Sequence, residues 1–193
     1  MPHINYQARE LAFKIVYYGP GLSGKTTNLI HIHSALDPDR KGEIIVLDTE
    51  EERTLFFDFF PLALGRVGNY SVRFNMYTVQ GQVYYEASRR LILDGADGIV
   101  FVADSQPNRL DENIQSFQML QESLTSYGVD WKEFPLVLQY NKRDLEDLLP
   151  VGTLESRLGL NGIPVQEAVA TAGTGVMETI RIASRAVIEK FKL

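Results

Sequence analysis

The sequence predicts an α/β fold in which helices cover both faces of a mostly parallel β-sheet. Two observations predict it. Apolar runs of strand length alternate along the chain with amphipathic stretches of helix length, and the first apolar run leads directly into a glycine-rich loop. Six strands are predicted, at residues 13–18, 55–60, 72–78, 99–104, 136–140 and 165–170.

The connections between these strands predict four helices and one hairpin. The helices are expected over residues 25–36, 83–93, 113–127 and 176–190. Between the second and third strands there is no helical stretch but a set of turn-forming residues, Pro61, Gly65, Gly68 and Asn69, which predicts an antiparallel hairpin at one edge of the sheet. Residues 37–53 stay open, because 43–47 resembles a strand in polar surroundings.

Composition restricts the class of protein. The 193 residues predict one domain, 1–193, and 45% hydrophobic with 23% charged residues is typical of a globular protein rather than a disordered or fibrous one. A net charge of −6 argues against a general nucleic-acid binder. The absence of cysteine and of a secretory signal predicts a cytoplasmic protein. For lack of a cysteine, no lipid anchor is expected at the C-terminus.

A phosphate-binding loop is predicted between the first strand and the first helix. Its glycines allow the backbone to wrap a polyphosphate, Lys25 would neutralise the β and γ oxygens, and the Thr26 hydroxyl would ligate Mg²⁺. The alternative is a glycine-rich turn without a function. The predicted nucleotide-binding residues of the loop are Gly19, Gly21, Leu22, Ser23, Gly24, Lys25, Thr26 and Thr27.

A second motif, Asn-Lys-Arg-Asp at 141–144, follows the fifth predicted strand and indicates which base is bound. The Asp144 carboxylate can accept two hydrogen bonds from guanine, at N1 and at the 2-amino group, whereas adenine offers neither. Asn141 can tie this strand to the phosphate loop, and the Lys142 stem can cover one face of the base. The alternative reading of the tetrapeptide is a solvated charged turn.

With these two motifs the chain resembles the Ras-like small GTPases over nearly its whole length. The resemblance implies that the Gly81 amide meets the γ-phosphate and that Gln82 orients the attacking water. It further implies that Ala170 and Thr171 lie in a base-supporting loop, where the Ala170 amide would reach the guanine oxygen. The alternative for this last segment is an ordinary strand-to-helix loop.

In detail the chain is similar to the bacterial MglA group of these GTPases, on residues 16–28, 52–59, 98–105 and 141–145. That group lacks the metal-side aspartate of Ras. Here the position is Thr78, which could hold Mg²⁺ only through a water, so a weaker metal site is implied. The group usually has proline before Gly81, where this chain has Gln80, and the loss of proline would loosen the loop that carries Gln82.

The resemblance also points to Arg53 and Thr54 as the first switch. Thr54 would close on Mg²⁺ and the γ-phosphate, and Arg53 would be a catalytic arginine finger supplied by the chain itself. The alternative for Arg53 is a surface ion pair with one of the glutamates at 50–52. Asp104 is a further candidate metal ligand, although the resemblance places it near the nucleotide as a structural group.

The predicted function is a Mg²⁺-dependent GTPase switch that acts in bacterial cell polarity and motility. The resemblance implies a Roadblock-domain activating partner of the MglB type, polarity or motility effectors, and possible recruitment to a cell pole. Two alternatives stay open. One is a very slowly hydrolysing guanine-nucleotide-dependent scaffold, and the other is a P-loop kinase, whose arginine-bearing lid is not evident from the scattered arginines late in the chain.

Overall fold

The computed structural model describes residues 3–43, 45–46, 58–79 and 86–191, which form one mixed sheet with helices on both faces. The eight strands within these residues are β1 (His3–Asn5), β2 (Glu10–Tyr18), β3 (Ile45–Val46), β4 (Asp58–Val67), β5 (Tyr70–Thr78), β6 (Gly98–Asp104), β7 (Leu136–Asn141) and β8 (Val165–Glu167). The five α-helices are α1 (Lys25–Ala35), α2 (Glu86–Leu93), α3 (Leu110–Ser126), α4 (Thr153–Leu158) and α5 (Val176–Lys190).

The central strands are parallel, and their carboxyl ends meet at one edge. The strand order is β3-β4-β5-β2-β6-β7-β8, with β1 antiparallel to the start of β2. Within the series β5, β2, β6, β7 and β8, adjacent strands are parallel to one another, whereas β4 is antiparallel to β5. In an open sheet of this kind, the crevice outside the carboxyl ends of the strands is where ligands bind. The loops that follow β2, β6 and β7 lie at that edge.

Two apolar cores lie on opposite faces of the sheet, and alternation along β2 separates them. Phe13, Ile15 and Tyr17 face the core that α1 and α5 cover, whereas Val16 and Tyr18 face the core of α2, α3 and α4. All five side chains are buried. A strand whose two faces are both covered reads as a continuous apolar run, and this explains the pattern of residues 11–18.

The predicted hairpin is present, with a longer first strand. β4 continues through Pro61 and Gly65, so that only Gly68 and Asn69 form the turn. Proline is accommodated because the Pro61 carbonyl accepts a hydrogen bond from the Gly42 amide on the outer side, where the proline nitrogen also points. The register shift beside Gly65 marks a bulge. Residues 55–57 of the predicted strand lie outside the described residues.

Several elements differ from the prediction of six strands and four helices. The extra strands β1 and β3 are short. All three residues of β1 are exposed, so burial imposes no apolar pattern on its sequence that would predict a strand. β3 falls in the segment that the sequence left open. The unpredicted helix α4 has six residues between two left-handed glycines. β8 ends before the predicted residue 170, because Val169 pairs with Thr174 across the following loop.

The first and last helices lie close to their predicted bounds, because each begins directly after a glycine of left-handed conformation, Gly24 or Gly175. α5 has its predicted bounds and α1 ends one residue earlier than predicted. The predicted start of α2, at 83–85, lies outside the described residues. No helix in the described part of the chain is long and apolar enough to cross a membrane.

Candidate nucleotide-binding site

The phosphate loop lies between the end of β2 and the start of α1, and its glycines are required by close contacts. A Cβ atom on Gly24 would lie 2.2 Å from Asn141 Nδ2, and one on Gly19 would lie 2.2 Å from the Val102 carbonyl oxygen. Both glycines have positive φ, at +99° and +148°. The loop is therefore packed against β6 and β7 as closely as the backbone allows.

Side chains hold the carbonyl oxygens of this loop. Lys25 Nζ donates to the Gly19 and Pro20 carbonyls at 3.0 and 2.6 Å, and an Arg109 guanidinium nitrogen donates to the Gly21 carbonyl at 2.7 Å. The Lys25 side chain is almost fully buried. The Lys25 ammonium of α1 and the Arg109 guanidinium, from the segment that follows β6, therefore both lie against the loop.

Asn141 holds a further carbonyl, that of Ser23, at 2.8 Å through its Nδ2. In a planar trans peptide, the carbonyl of one residue and the N–H of the next point in opposite directions. Because the carbonyls of Gly21 and Ser23 are held by Arg109 and Asn141, the N–H groups that follow these two carbonyls point away from those two side chains. Successive amides so arranged form a concave anion-binding nest. The loop therefore fits a polyphosphate.

Leu22 has an unusual conformation in this loop. Its φ is +62°, in the left-handed region that favours glycine, and 86% of its surface is exposed. Residues held in sparsely populated backbone regions cluster at functional sites. The neighbouring Thr26, in the first turn of α1, is exposed, and its hydroxyl is the kind of oxygen ligand that Mg²⁺ prefers.

A pocket of about 270 Å³ adjoins the phosphate loop at the ends of β7 and β8. Its lining contains Leu145, which the sequence analysis did not single out, although it directly follows the Asn-Lys-Arg-Asp motif. The remaining lining residues were all predicted to bind the nucleotide. The lining is Leu22, Gly24, Thr27, Asn141, Lys142, Asp144, Leu145, Ala170 and Thr171.

Asn141 joins the pocket to the phosphate loop. While its Nδ2 donates to Ser23, its Oδ1 accepts a hydrogen bond from the Ala170 amide at 2.9 Å. The Ala170 N–H would therefore be shared if it also reached a guanine oxygen, and that contact stays a prediction. The Asp144 side chain is exposed at the rim of the pocket, where a carboxylate can meet the edge of a base.

Asp104 serves as a buried anchor beside the pocket. Its side chain is fully buried and pairs with Lys142 Nζ at 2.6 Å. Arg109 Nε lies 3.7 Å from the same carboxylate, and the Gln106 side chain donates to it. Because two cations and an amide engage Asp104, the structure favours its structural role over the alternative of a metal ligand. The Lys142 stem is thereby fixed along one side of the pocket.

The base-side loops are held mainly by backbone hydrogen bonds. The Ala168 amide donates to the Tyr140 carbonyl at 2.8 Å, and the Arg143 amide donates to the Ala168 carbonyl at 3.1 Å. Beneath them, burial and the neighbouring Glu155 carboxylate raise the pKa of Tyr140 to about 12. The Tyr140 hydroxyl is therefore protonated at neutral pH and donates to Glu155 at 2.5 Å.

The predicted catalytic and switch residues are placed only in part. Thr78 is buried at the end of β5, with Tyr17 as its partner in β2, immediately before the phosphate loop. The contact of Thr78 with Mg²⁺ through a water stays a prediction. The predicted residues Arg53, Thr54, Gly81 and Gln82 lie outside the described residues, and so does Gln80.

Comparison with known proteins identifies the class. The family model of the ADP-ribosylation factors (Arf) matches residues 4–187. The chain therefore belongs to the Arf family of Ras-like small GTPases, which bind and hydrolyse GTP, and the predicted fold class and enzyme class are confirmed.

A curated relative narrows the comparison within that class. The chain is 48% identical over 192 residues to the mutual gliding-motility protein MglA of Myxococcus xanthus (strain DK1622). The alignment covers 100% of this chain and 98% of the relative. This similarity confirms the predicted MglA type of small GTPase.

Proposed function

We propose that this chain is a Mg²⁺-dependent GTP switch for cell polarity and motility, stimulated by a Roadblock-domain partner of the MglB type. The observation that carries the proposal is the continuity of the site: Asn141 joins a phosphate loop to a pocket with the Asp144 carboxylate at its rim. The motility role is supported by the relative, which is named for gliding motility.

The residues of the phosphate loop divide the binding task. The amides that follow Gly21 and Ser23 hold the phosphate oxygens, and Lys25 neutralises the β and γ groups. Mg²⁺, when bound, spreads the negative charge of the phosphates. The hydroxyls of Thr26 and Thr54 would hold it directly, and Thr78 would do so through a water.

Hydrolysis follows from how the chain positions water. Gln82 orients a water whose oxygen forms a bond to the γ-phosphorus while the bond to the β–γ bridging oxygen breaks, giving GDP and phosphate. Arg53 enters late and stabilises the charge on the γ-phosphoryl group and the leaving oxygen. Before the partner binds, intrinsic hydrolysis is slow because Arg53 is not yet in place.

The signalling output is a difference between two bound states. With GTP, the segments that contain Thr54 and Gly81 contact the γ-phosphate and present a surface to polarity or motility effectors. Hydrolysis removes that contact and releases the effectors. The chain acts as one G domain over 1–193, in the cytoplasm, from which partners recruit it to a cell pole.

Single-turnover GTP hydrolysis tests this proposal, measured with and without Mg²⁺ and with and without the Roadblock-domain partner. Arg53→Ala should remove most of the partner's stimulation, since an arginine finger is worth roughly 10³–10⁵ in rate. GTP affinity and partner binding should stay within about tenfold of wild type. Arg185→Ala, an exposed arginine of α5, is the matched control. Stimulation near the wild-type level in Arg53→Ala would return Arg53 to a surface ion pair.

Gln82→Leu separates the switch from a scaffold that hydrolyses too slowly to matter. The scaffold alternative is favoured by Thr78 and Gln80, since the resemblance to Ras and to the MglA group implies an aspartate and a proline at these positions. If the switch assignment holds, the partner-stimulated turnover of Gln82→Leu is lower than that of the wild type by much more than about threefold, while GTP affinity is retained. Wild-type turnover that the partner does not accelerate would favour the scaffold.

A further inference from the structure

A buried polar cluster lies one layer beneath the nucleotide site, and the proposed function does not use it. It consists of Asn28 in α1, Gln139 in β7 and Thr179 in α5, whose side chains all have zero exposure. Their surroundings are apolar, with Leu29 and Val137 among the residues of the same core. Polar side chains in an apolar core are costly unless they are hydrogen-bonded, so the cluster requires an explanation.

The hydrogen bonds of the cluster have fixed directions. Gln139 Nε2 donates to Asn28 Oδ1 at 3.0 Å and to Thr179 Oγ1 at 2.8 Å. Asn28 Nδ2 in turn donates to the Gly24 carbonyl at 2.9 Å. The Thr179 hydroxyl donates to the Gly175 carbonyl at 2.7 Å. The bonds therefore run outward from one side-chain amide to two backbone carbonyls.

The two carbonyls belong to the two halves of the nucleotide site. Gly24 ends the phosphate loop, and Gly175 ends the loop that begins beside the base pocket at Ala170. Both glycines are tightly placed. A Cβ atom would lie 2.2 Å from Asn141 Nδ2 at Gly24 and 2.1 Å from the Glu167 carbonyl oxygen at Gly175. The cluster therefore connects two rigidly specified points of the backbone.

One atom of the cluster is buried at a cost in folding free energy. Among the described residues, Gln139 Oε1 is buried and has no hydrogen-bond partner. A buried carbonyl without a partner loses its hydration uncompensated, and an apolar side chain at this position would avoid that loss. The favourable contribution of Gln139 therefore lies in the two bonds that its Nε2 donates.

We propose that Gln139, with Asn28 and Thr179, is a positioning bridge that couples the phosphate loop to the base-side loop. The bridge keeps the N-terminal ends of α1 and α5 at a fixed separation, so that a base seated at one end aligns the phosphate loop at the other. This inference rests on the proposed assignment of the two loops to the halves of one guanine nucleotide.

Affinities for GMP and GDP measure this coupling directly. The dissociation constant for GMP divided by that for GDP gives the contribution of the β-phosphate, which the phosphate loop binds. A lower ratio means that the β-phosphate contributes less to affinity. In Thr179→Val the ratio should fall about tenfold, which is about 1.4 kcal/mol. The Thr179 hydroxyl bonds to Gly175 and Gln139 and not to the phosphate loop. A fall in the ratio would therefore show that the bridge transmits the change to the phosphate loop. Gln139→Leu should lower the ratio similarly.

Two further variants separate positioning from simple packing. Ser184→Ala removes another buried hydroxyl of α5, which donates to the Ile180 carbonyl at 2.7 Å, and should leave the ratio unchanged. Thr179→Ser keeps the hydroxyl and should restore the wild-type ratio. Thermal melting of the nucleotide-free proteins reports on folding. If Gln139→Leu does not fold, the pair Thr179→Val and Thr179→Ser decides.

The outcomes distinguish the bridge from the proposed function. An unchanged ratio in Thr179→Val, or equal weakening of GMP and GDP, overturns the bridge while wild-type GDP binding stands. Wild-type protein that binds ADP as tightly as GDP overturns the proposed site itself. A ratio that falls in Thr179→Val and recovers in Thr179→Ser supports the bridge.

Discussion

The phosphate loop and the base-side loops meet at Asn141, but they are held in different ways. Carbonyls of the phosphate loop accept hydrogen bonds from side chains that are distant in sequence, 88 positions away for Arg109 and 118 for Asn141. The base-side loops are joined mainly by backbone bonds between neighbouring strand ends, as between Ala168 and Tyr140.

The difference shows where each half of the site is sensitive to substitution. Because side chains set the shape of the phosphate loop, changes far from the nucleotide can disturb phosphate binding. On the base side the backbone sets the shape, so the discrimination between bases is concentrated in one exposed carboxylate, that of Asp144. Substitutions can test each half separately.

The largest effect is expected for Gly24→Ala, which acts where the two halves meet. A Cβ 2.2 Å from Asn141 Nδ2 would displace the side chain that bonds to Ser23 and Ala170. Two lost buried hydrogen bonds and the strain of a positive φ amount to about 4 kcal/mol, or roughly a thousandfold in GDP affinity. Equilibrium titration with a fluorescent GDP analogue measures it.

The matched control for this substitution is Gly159→Ala, at the end of α4. Gly159 also has a positive φ, +69°, but a Cβ there would meet nothing within 4 Å. We expect it to cost about 1 kcal/mol of stability and to leave GDP affinity unchanged. If both variants lose GDP affinity equally, strain rather than the contact with Asn141 explains the loss.

A smaller and more selective effect is expected for Asp144→Asn. Loss of two charge-assisted hydrogen bonds to guanine should weaken GTP by about 3 kcal/mol, or roughly a hundredfold. Xanthosine triphosphate should gain affinity, because the amide can donate to the xanthine oxygen. Asp147→Asn, an exposed aspartate of the same loop, is the control and should change neither affinity. Equal loss of both nucleotides in Asp144→Asn would remove Asp144 from base recognition.

The smallest effect is expected for Arg109→Ala, which frees one carbonyl of the phosphate loop. The side chain is partly exposed, so the lost bond to Gly21 should cost about 1 kcal/mol, or about fivefold in GDP affinity. Arg181→Ala removes an exposed pair with Glu178 and should have no effect. A null result in Arg109→Ala would mean that the loop keeps its shape without this cation.

The sequence predicted the features that local chemistry dictates. The bounds of α5 follow from Gly175 and an amphipathic repeat. Most of the predicted pocket lining follows from two motifs that each stand directly after a strand, whereas Ala170 and Thr171 followed from the family resemblance. The hairpin was recognised from its turn residues, although Pro61 was wrongly taken to end the strand. A bulge and an outward-facing proline nitrogen leave no simple periodic pattern.

The sequence did not predict the contacts that depend on the tertiary fold. Arg109 lies in a short helical turn after β6, and no pattern relates it to Gly21, 88 positions earlier. Gln139 was read as one member of a strand, and Asn28 and Thr179 as members of helices, because only the packed sheet brings them together. The helix α4 was missed because six residues carry too little periodicity.

The central claim is that this site binds guanine nucleotides through a phosphate loop and a base pocket. Competition binding of GDP, ADP and XDP to the wild-type protein tests it most directly. Mass analysis of the nucleotide released from the denatured protein would accompany the titrations. The account predicts that GDP binds at least a thousandfold more tightly than ADP, since adenine would leave the Asp144 carboxylate unpaired. Equal affinity for GDP and ADP would contradict it.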